Sequence, residues 1–360
     1  MAKEQKKIEK EILDLREQIR KLYERPLLRT LFLEVTSRCN ARCEHCGSRC
    51  DGKEQGKEIS AEDLKKTLKE ISLCYNPKDI YLCVTGGEPL IRKDLFDIID
   101  YAYSLGFNWG MTSNGMLIDE KMVKKLESSH LKTVSISIDG LKETHEKFRR
   151  VPNCYEKVLK GIEMMQKSKE IQVVQVTTVV TKQNIDELED LYQLLLDHNV
   201  KYWRVINCEP IGRANDHKNI LLDTDQYKYL FQFIQDKQKE GKMKEVTYGC
   251  SHYLGPKLEK KVRGFYFSCL TGIAVASILS NGDIFVCPNV PRRKELIQGN
   301  ITKDSFVNVW ETRFQCFRKD DRTANEECKK CKHWKYCHGG AFHSWDFEEN
   351  RQQMCLKELF

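Results

Sequence analysis

The stretch Leu31 to Cys50, LFLEVTSRCNARCEHCGSRC, constrains the chain more than any other, because a buried-strand pattern runs straight into a dense thiol cluster. Leu31, Phe32, Leu33 and Val35 have the length and the aromatic and β-branched content of a strand, and Thr36, Ser37 and Asn40 signal that it ends in a loop. Cys39, Cys43 and Cys46 follow in a C-x3-C-x2-C spacing. Thiolates so close together repel one another unless a metal or cluster neutralises them, so the loop reads as a ligand loop. Zinc competes for this reading, with Cys50 available as a fourth thiolate, although the spacing differs from the paired C-x2-C knuckles of zinc ribbons. Three ligands on a four-iron cluster would leave one iron open for chemistry.

The cysteine count sharpens this reading once the compartment is considered. The segment MAKEQKKIEKEILDL is too charged for a secretory signal, and no apolar run approaches the ~18 residues needed to span a bilayer. A cytoplasmic protein without membrane contact is expected. Thiols stay reduced in that compartment, so sixteen cysteines in 360 residues point to metals rather than disulfides. The net charge of +7 is a mild excess spread along the chain. It allows an acidic partner, but no aromatic-plus-basic module is visible and nucleic acid is not an expected partner.

Downstream, the pattern alternates. Residues 3–23 read as a helix with Ile8, Ile12, Leu15, Ile19 and Leu22 at helical spacing, expected to pack across the next domain. Ser60 with Asp63 resembles a capping box. Strands are expected at Ile80 to Val84, Trp109 to Thr112, Thr133 to Ile138, Val173 to Val180 and Tyr202 to Ile206, separated by helices at Asp94 to Leu105, 119–128, 155–167 and 185–197. Six strands alternating with helices indicate right-handed βαβ units and a parallel sheet. In such sheets function gathers at the C-terminal strand ends. Every polar or glycine-rich element here falls at such an end: the cysteine loop, Gly86-Gly87-Glu88-Pro89, Ser113-Asn114-Gly115, Asp139-Gly140 and Cys208-Glu209-Pro210.

With the cysteine loop after the first strand and Gly-Gly-Glu-Pro after the second, the chain resembles the radical S-adenosylmethionine (SAM) enzymes. The resemblance implies an α/β fold, a partial (β/α)6 TIM-like barrel over residues 29–214, preceded by an N-terminal helix at 1–28 and followed by a helical bridge at 215–248. It implies a four-iron four-sulfur cluster on Cys39, Cys43 and Cys46 whose open iron chelates SAM, and it places Gly86, Gly87, Glu88, Pro89, Ser113, Asn114, Asp139, Arg149 and Arg204 around that SAM. Gly86 and Gly87 would let a ligand approach the backbone, and Glu88 would accept from its ammonium. Arg149 and Arg150 are adjacent, and one of them can equally be a surface residue.

A second thiol set follows: Cys250, Cys269, Cys287, Cys316, Cys328, Cys331, Cys337 and Cys355. Asn281-Gly282 reads as a type I' hairpin turn that delivers Cys287 near Cys269. The C-x12-G-x4-C and C-x2-C-x5-C patterns, followed by Cys355, resemble the SPASM domain, an auxiliary-cluster extension, over residues 249–360. By that resemblance Cys328, Cys331, Cys337 and Cys355 form an outer auxiliary cluster. The inner one, on Cys269 and Cys287, lacks a usual ligand because Ala341 replaces a cysteine; Cys250 is the candidate third ligand, and His343 or Cys316 the fourth. Three [4Fe-4S] clusters are therefore expected in all.

Domain architecture suggests the substrate: SPASM extensions mostly accompany enzymes that crosslink or epimerise ribosomally made peptides, with an electron donor such as flavodoxin or ferredoxin. An SAM-derived 5'-deoxyadenosyl radical would abstract hydrogen from the precursor peptide. Cys208 is a candidate hydrogen donor in an epimerase. A small metabolite or tRNA as substrate, and a noncatalytic zinc protein, are the alternative readings.

Overall fold

The chain's apolar strands pair as a parallel sheet because each is followed by an amphipathic helix that carries it back across one face. The computed structural model describes residues 2–50, 57–249 and 252–359. Its N-terminal part runs α1 (Ala2–Glu24), β1 (Thr30–Thr36), α2 (Ala61–Cys74), β2 (Tyr81–Gly86), α3 (Leu95–Ser104), β3 (Asn108–Ser113), α4 (Glu120–Ser128), β4 (Thr133–Ser137), α5 (Lys142–Arg149), α6 (Tyr155–Gln166), β5 (Val173–Val180), α7 (Leu188–Asp197), β6 (Tyr202–Asn207), α8 (Thr224–Glu240) and β7 (Glu245–Tyr248). Strands β1 to β6 form the partial barrel in sequence order, all parallel. Alternation along the strands sorts their side chains. Leu31, Leu33, Val84, Val134, Ile136, Val176, Trp203 and Val205 join the continuous hydrophobic core. The intervening Ser135, Thr177 and Arg204 hydrogen-bond to one another across the other face, with Ser135 Oγ 2.6 Å from Thr177 Oγ1 and Arg204 Nε donating to Thr177 Oγ1 at 3.1 Å.

Helix starts follow local chemistry. Ser60 Oγ accepts from Asp63 N at 3.0 Å to cap α2, and Asp223 with Gln226 forms a reciprocal capping box at α8. Helix α5 has no counterpart in the sequence reading, because KETHEKFR carries no apolar repeat to reveal it.

The C-terminal part contains α9 (Gly255–Arg263), β8 (Val275–Ile278), β9 (Asp283–Phe285), β10 (Gly299–Asn300), α10 (Phe306–Thr312), α11 (Glu326–Lys330) and α12 (Trp334–Cys337). Two features differ from expectation. Residues 245–248, expected in a helical bridge, form β7 beside β6, and β8 of the expected hairpin also lies parallel to β1. Both ends of the barrel sheet are thus extended by later segments, a long-range pairing that four-residue strands do not announce. The hairpin itself turns through three residues, with Gly282 N donating to Leu279 O at 2.8 Å and Leu279 N to Asp283 O at 2.9 Å. Gly282 alone takes the left-handed conformation, at φ 87°, while Asn281 engages Asp283 through its side chain, so the turn is a glycine bulge and not type I'.

Helix α1 lies against α9 and α12. Arg16 Nε donates to Tyr336 O at 3.0 Å and its Nη1 to Ser268 Oγ at 3.0 Å, while Arg20 and Tyr23 both reach Asp320. The amphipathic pattern thus packs across the cysteine-rich region rather than the barrel. No helix among the described residues is long and apolar enough to cross a membrane.

Candidate active site and cluster sites

The cysteine loop after β1 is held by its neighbours on three sides. Arg42 N donates to Arg149 O at 3.2 Å and Glu44 N to Phe148 O at 3.0 Å, which ties the loop to α5. From the loop after β6, Arg213 N donates to Cys46 O at 3.0 Å and Arg213 Nε to Cys43 O at 2.8 Å. From β2, Gly87 N donates to Thr36 O at 2.8 Å and Glu88 N to Arg38 O at 2.9 Å. These contacts explain the glycines. A Cβ on Gly86 would lie 2.3 Å from Thr36 O, one on Gly87 2.0 Å from Arg38 O and one on Gly212 2.3 Å from Gly47 O. The expected reason for Gly86 and Gly87, space for a ligand, is joined by a nearer one: the cysteine loop itself occupies that space.

The three thiols fit an iron-sulfur cluster by their chemistry. Burial pushes Cys39 up to about 11, with Cys43 and Cys46 adding to the effect, and burial likewise raises Cys43. Crowded, desolvated thiols such as Cys39 and Cys43 are best held as thiolates by a cationic centre. Cys50 does not stand apart as a spectator: its thiol hydrogen-bonds to Cys46, which lowers Cys46, and also points to Gly86 O at 3.5 Å.

Beside the thiols lies a buried charge network. Arg149 Nη2 stands 2.6 Å from Asp139 Oδ2, its Nη1 is 3.5 Å from Cys43 Sγ, and His45 Nε2 is 3.6 Å from the same Asp139 oxygen. Asp139 is fully buried; burial would raise its carboxyl, but Arg149 and His45 hold it below its ordinary value. Arg150 is exposed, paired with Glu44, and left-handed at φ 54°. The adjacent arginines therefore divide, with Arg149 facing inward. Two buried polar atoms, His45 Nδ1 and Arg149 Nε, have no hydrogen-bond partner. Such atoms next to the thiols suit a polar amino-acid group, which is what SAM presents.

Several expected SAM contacts have other tasks. Glu88 is fully buried and accepts from Ser113 Oγ at 2.9 Å, Asn114 N at 2.7 Å and Leu90 N at 3.3 Å. Burial raises its carboxyl to about 7. It braces β2 against β3, a task the sequence did not announce. Ser113 is committed to Glu88, and Asn114 reaches Asn40 Oδ1 at 2.7 Å. Pro89 is buried in the following turn. Asp139 is the partner of Arg149, and Arg204 is engaged with Thr177 within the barrel, below the strand end. Cys208 is buried beneath the cysteine loop, its Sγ 4.0 Å from His45 O, and burial raises it to about 12. It packs with Ala214 and Ile220.

In the C-terminal part, Cys328, Cys331, Cys337 and Cys355 line one cavity of about 240 Å³. That is many times the roughly 10–15 Å³ that admits one water. Burial raises Cys337 to about 12, with Cys355 and Cys328 adding to it, so these thiols also crowd one another. Four thiols around one cavity fit a cluster. Cys269 and Cys287 are neighbours, both hydrogen-bonded by Thr271, and Phe342 N lies 3.5 Å from Cys269 Sγ. Cys250 lies outside the described residues. Cys316 is exposed with Arg318 and Lys319 as its charged neighbours, which removes it as an inner ligand. His343, the other candidate fourth ligand, has its Nε2 3.2 Å from Glu209 Oε1. His45, Arg213 and His252 escaped the sequence reading, and Glu209 entered it only as part of the strand-end element Cys208-Glu209-Pro210; the place of His45 among the cysteines could have flagged it.

A partial parallel barrel presenting three clamped thiols at its mouth, joined to a region with a four-thiol cavity, defines a class of iron-sulfur enzyme. Comparison with known proteins makes the class particular. The radical SAM superfamily matches residues 33–195 and the iron-sulfur cluster-binding SPASM domain matches residues 269–332. The chain thus carries a region that matches the radical SAM superfamily followed by one that matches the SPASM domain. The AdoMet-dependent heme synthase of Methanosarcina barkeri is 28% identical over 327 residues, covering 86% of this chain and 90% of that protein. The mycofactocin maturase MftC of Mycolicibacterium smegmatis is 28% identical over 314 residues, covering 86% and 76%. Among solved structures, anSMEcpe with bound AdoMet and the Cp18Cys peptide has the same fold, with a TM-score of 0.70 at 24% identity over 91% of this chain and 92% of that one.

Proposed function

We propose that the chain is a peptide-modifying radical SAM enzyme that takes hydrogen from a ribosomally made precursor peptide and leaves it crosslinked or epimerised. The carrying observation is the clamped thiol loop next to the Arg149–Asp139 pair, coupled to a C-terminal thiol cavity. A relative named as a maturase, MftC, supports the peptide as substrate. When bound, a cluster on Cys39, Cys43 and Cys46 together with SAM supplies reductive cleavage of the sulfonium and a carbon-centred radical.

The remaining work belongs to the protein's own residues. The backbone of Gly86 and Gly87 fixes the cysteine loop. Arg149, oriented by Asp139, presents a permanent cation beside Cys43, where an anionic ligand set and a SAM carboxylate would both be stabilised. Glu88 locks the ends of β2 and β3 so that this geometry persists without reorganisation. Cys208 would serve as a hydrogen donor in the epimerase version of the reaction. Three four-iron sites are proposed: the loop after β1, the outer set Cys328, Cys331, Cys337 and Cys355, and an inner set of Cys269, Cys287 and Cys250. A flavodoxin- or ferredoxin-like electron donor completes the scheme.

Anaerobically reconstituted protein should release 5'-deoxyadenosine with SAM and a reductant, and Cys43→Ala should abolish this. Iron analysis of about twelve per chain supports three sites, and about eight removes the inner one. A second reading, action on a tetrapyrrole, is favoured by the name and near-full-length coverage of the heme synthase relative. Incubating the holoenzyme with iron coproporphyrin III or with the precursor peptide, and following the mass of each, separates the two.

A further inference from the structure

Three segments that are distant in sequence bring Glu209, His252 and His343 together. Glu209 follows β6, His252 lies between β7 and α9, and His343 sits in the turn Phe342–Ser344. One carboxylate oxygen and one nitrogen of each imidazole lie within 4.8 Å of one another. His252 Nε2 is 2.5 Å and His343 Nε2 3.2 Å from the same atom, Glu209 Oε1. Its twin, Oε2, is buried with no hydrogen-bond partner.

That distribution is uneconomical for a hydrogen-bonded triad, which would share two imidazoles between two oxygens and leave neither stranded. It is what a three-ligand metal shell looks like before the ion enters, with one carboxylate oxygen still free to turn toward it. We propose that Glu209, His252 and His343 bind one divalent first-row transition-metal ion, separate from the iron-sulfur sites.

Two imidazoles and a carboxylate suit iron(II), manganese(II), cobalt(II) or zinc(II), and three protein ligands leave coordination positions open. The ligands are held in place from behind. His252 O accepts from Arg263 Nη2 at 2.9 Å, Ile211 N donates to Glu209 O at 2.8 Å, and Phe342 N beside His343 is fixed on Cys269 Sγ. Burial would raise the Glu209 carboxyl, but His252 and His343 keep it well below the usual range, so the ligand oxygen stays anionic. His252 also lines the cavity of the outer cysteines, and Glu209 follows Cys208 under the barrel's cysteine loop. An ion here would stand beside Cys269, between the barrel's cysteine loop and the outer cavity.

The test is a manganese(II) titration of the anaerobically reconstituted, desalted full-length protein, read by the six-line electron paramagnetic resonance signal of free manganese. Oxidised four-iron clusters are silent in that measurement. One equivalent of manganese should disappear from the free signal in the wild type. Glu209→Gln and His343→Gln should each weaken this roughly tenfold or more with iron content unchanged. A wild type that leaves all manganese free at millimolar concentration overturns the proposal, whatever the variants do, and so do variants that keep iron and bind manganese as well as the wild type.

Discussion

Arg149 and Asp139 illustrate what one buried ion pair demands of the residues around it. Both are shielded from water, so removing the cation strands the anion. Arg149→Met should cost about 3–5 kcal/mol of folding stability, and the double variant with Asp139→Asn should recover much of it, as read by anaerobic denaturant titration. Equal instability of the single and double variants would show that the pair is not the source. His145 gives a pH dependence. Its Nδ1 accepts from Asp139 N at 3.1 Å, and burial, with Arg149 adding to it, lowers it to about 4. The unfolded chain takes up that proton near pH 6.5 and the folded chain does not, so stability is full above that pH and declines toward pH 4. Between pH 7.5 and 5 the wild type should lose about 2 kcal/mol relative to His145→Asn, whose amide oxygen can accept the same bond without titrating. Parallel stability curves for the two proteins would refute it.

At the level of elements, the glycine turn after β2 sets the position of the cysteine loop. Gly87→Ala puts a methyl 2.0 Å from Arg38 O and 3.0 Å from Cys39 Cβ, which leaves it no room. The expected outcome is loss of about four irons per chain with the outer cluster's irons retained. An unchanged iron count would mean that the loop can yield. The same elements show what the sequence makes legible. The ends of β3, β4, β5 and β6 were readable to within a residue or two because alternating apolar residues and polar strand ends coincide there. Strand β7 and the pairing of β8 with β1 were not, since a four-residue strand has no period and β8 lies over two hundred residues from β1. The thiol groups were legible as spacing. The tasks of Glu88, Asp139 and His343 were not, because what a buried polar group does depends on partners from other strands: Ser113 and Asn114, Arg149, and Glu209.

For the molecule as a whole, α1 joins the two ends of the chain. Arg16 holds the carbonyls of Tyr336 and Cys337, next to the outer thiol cavity. Arg16→Ala should speed iron release from the outer site to a chelator several-fold, while the loop site after β1 releases iron at its normal rate. If both sites lose iron at the same pace, the strap has no selective hold. This clasp also orders events in time. Arg16 and Tyr336 are 320 residues apart. At ordinary rates of synthesis roughly 15–60 s separate their appearance from the ribosome. During that interval the buried face of α1, with Ile12 and Ile19, has no permanent surface to cover. Helix α1 is therefore made long before the surface it docks on, and its apolar stripe is where a chaperone would meet the nascent chain.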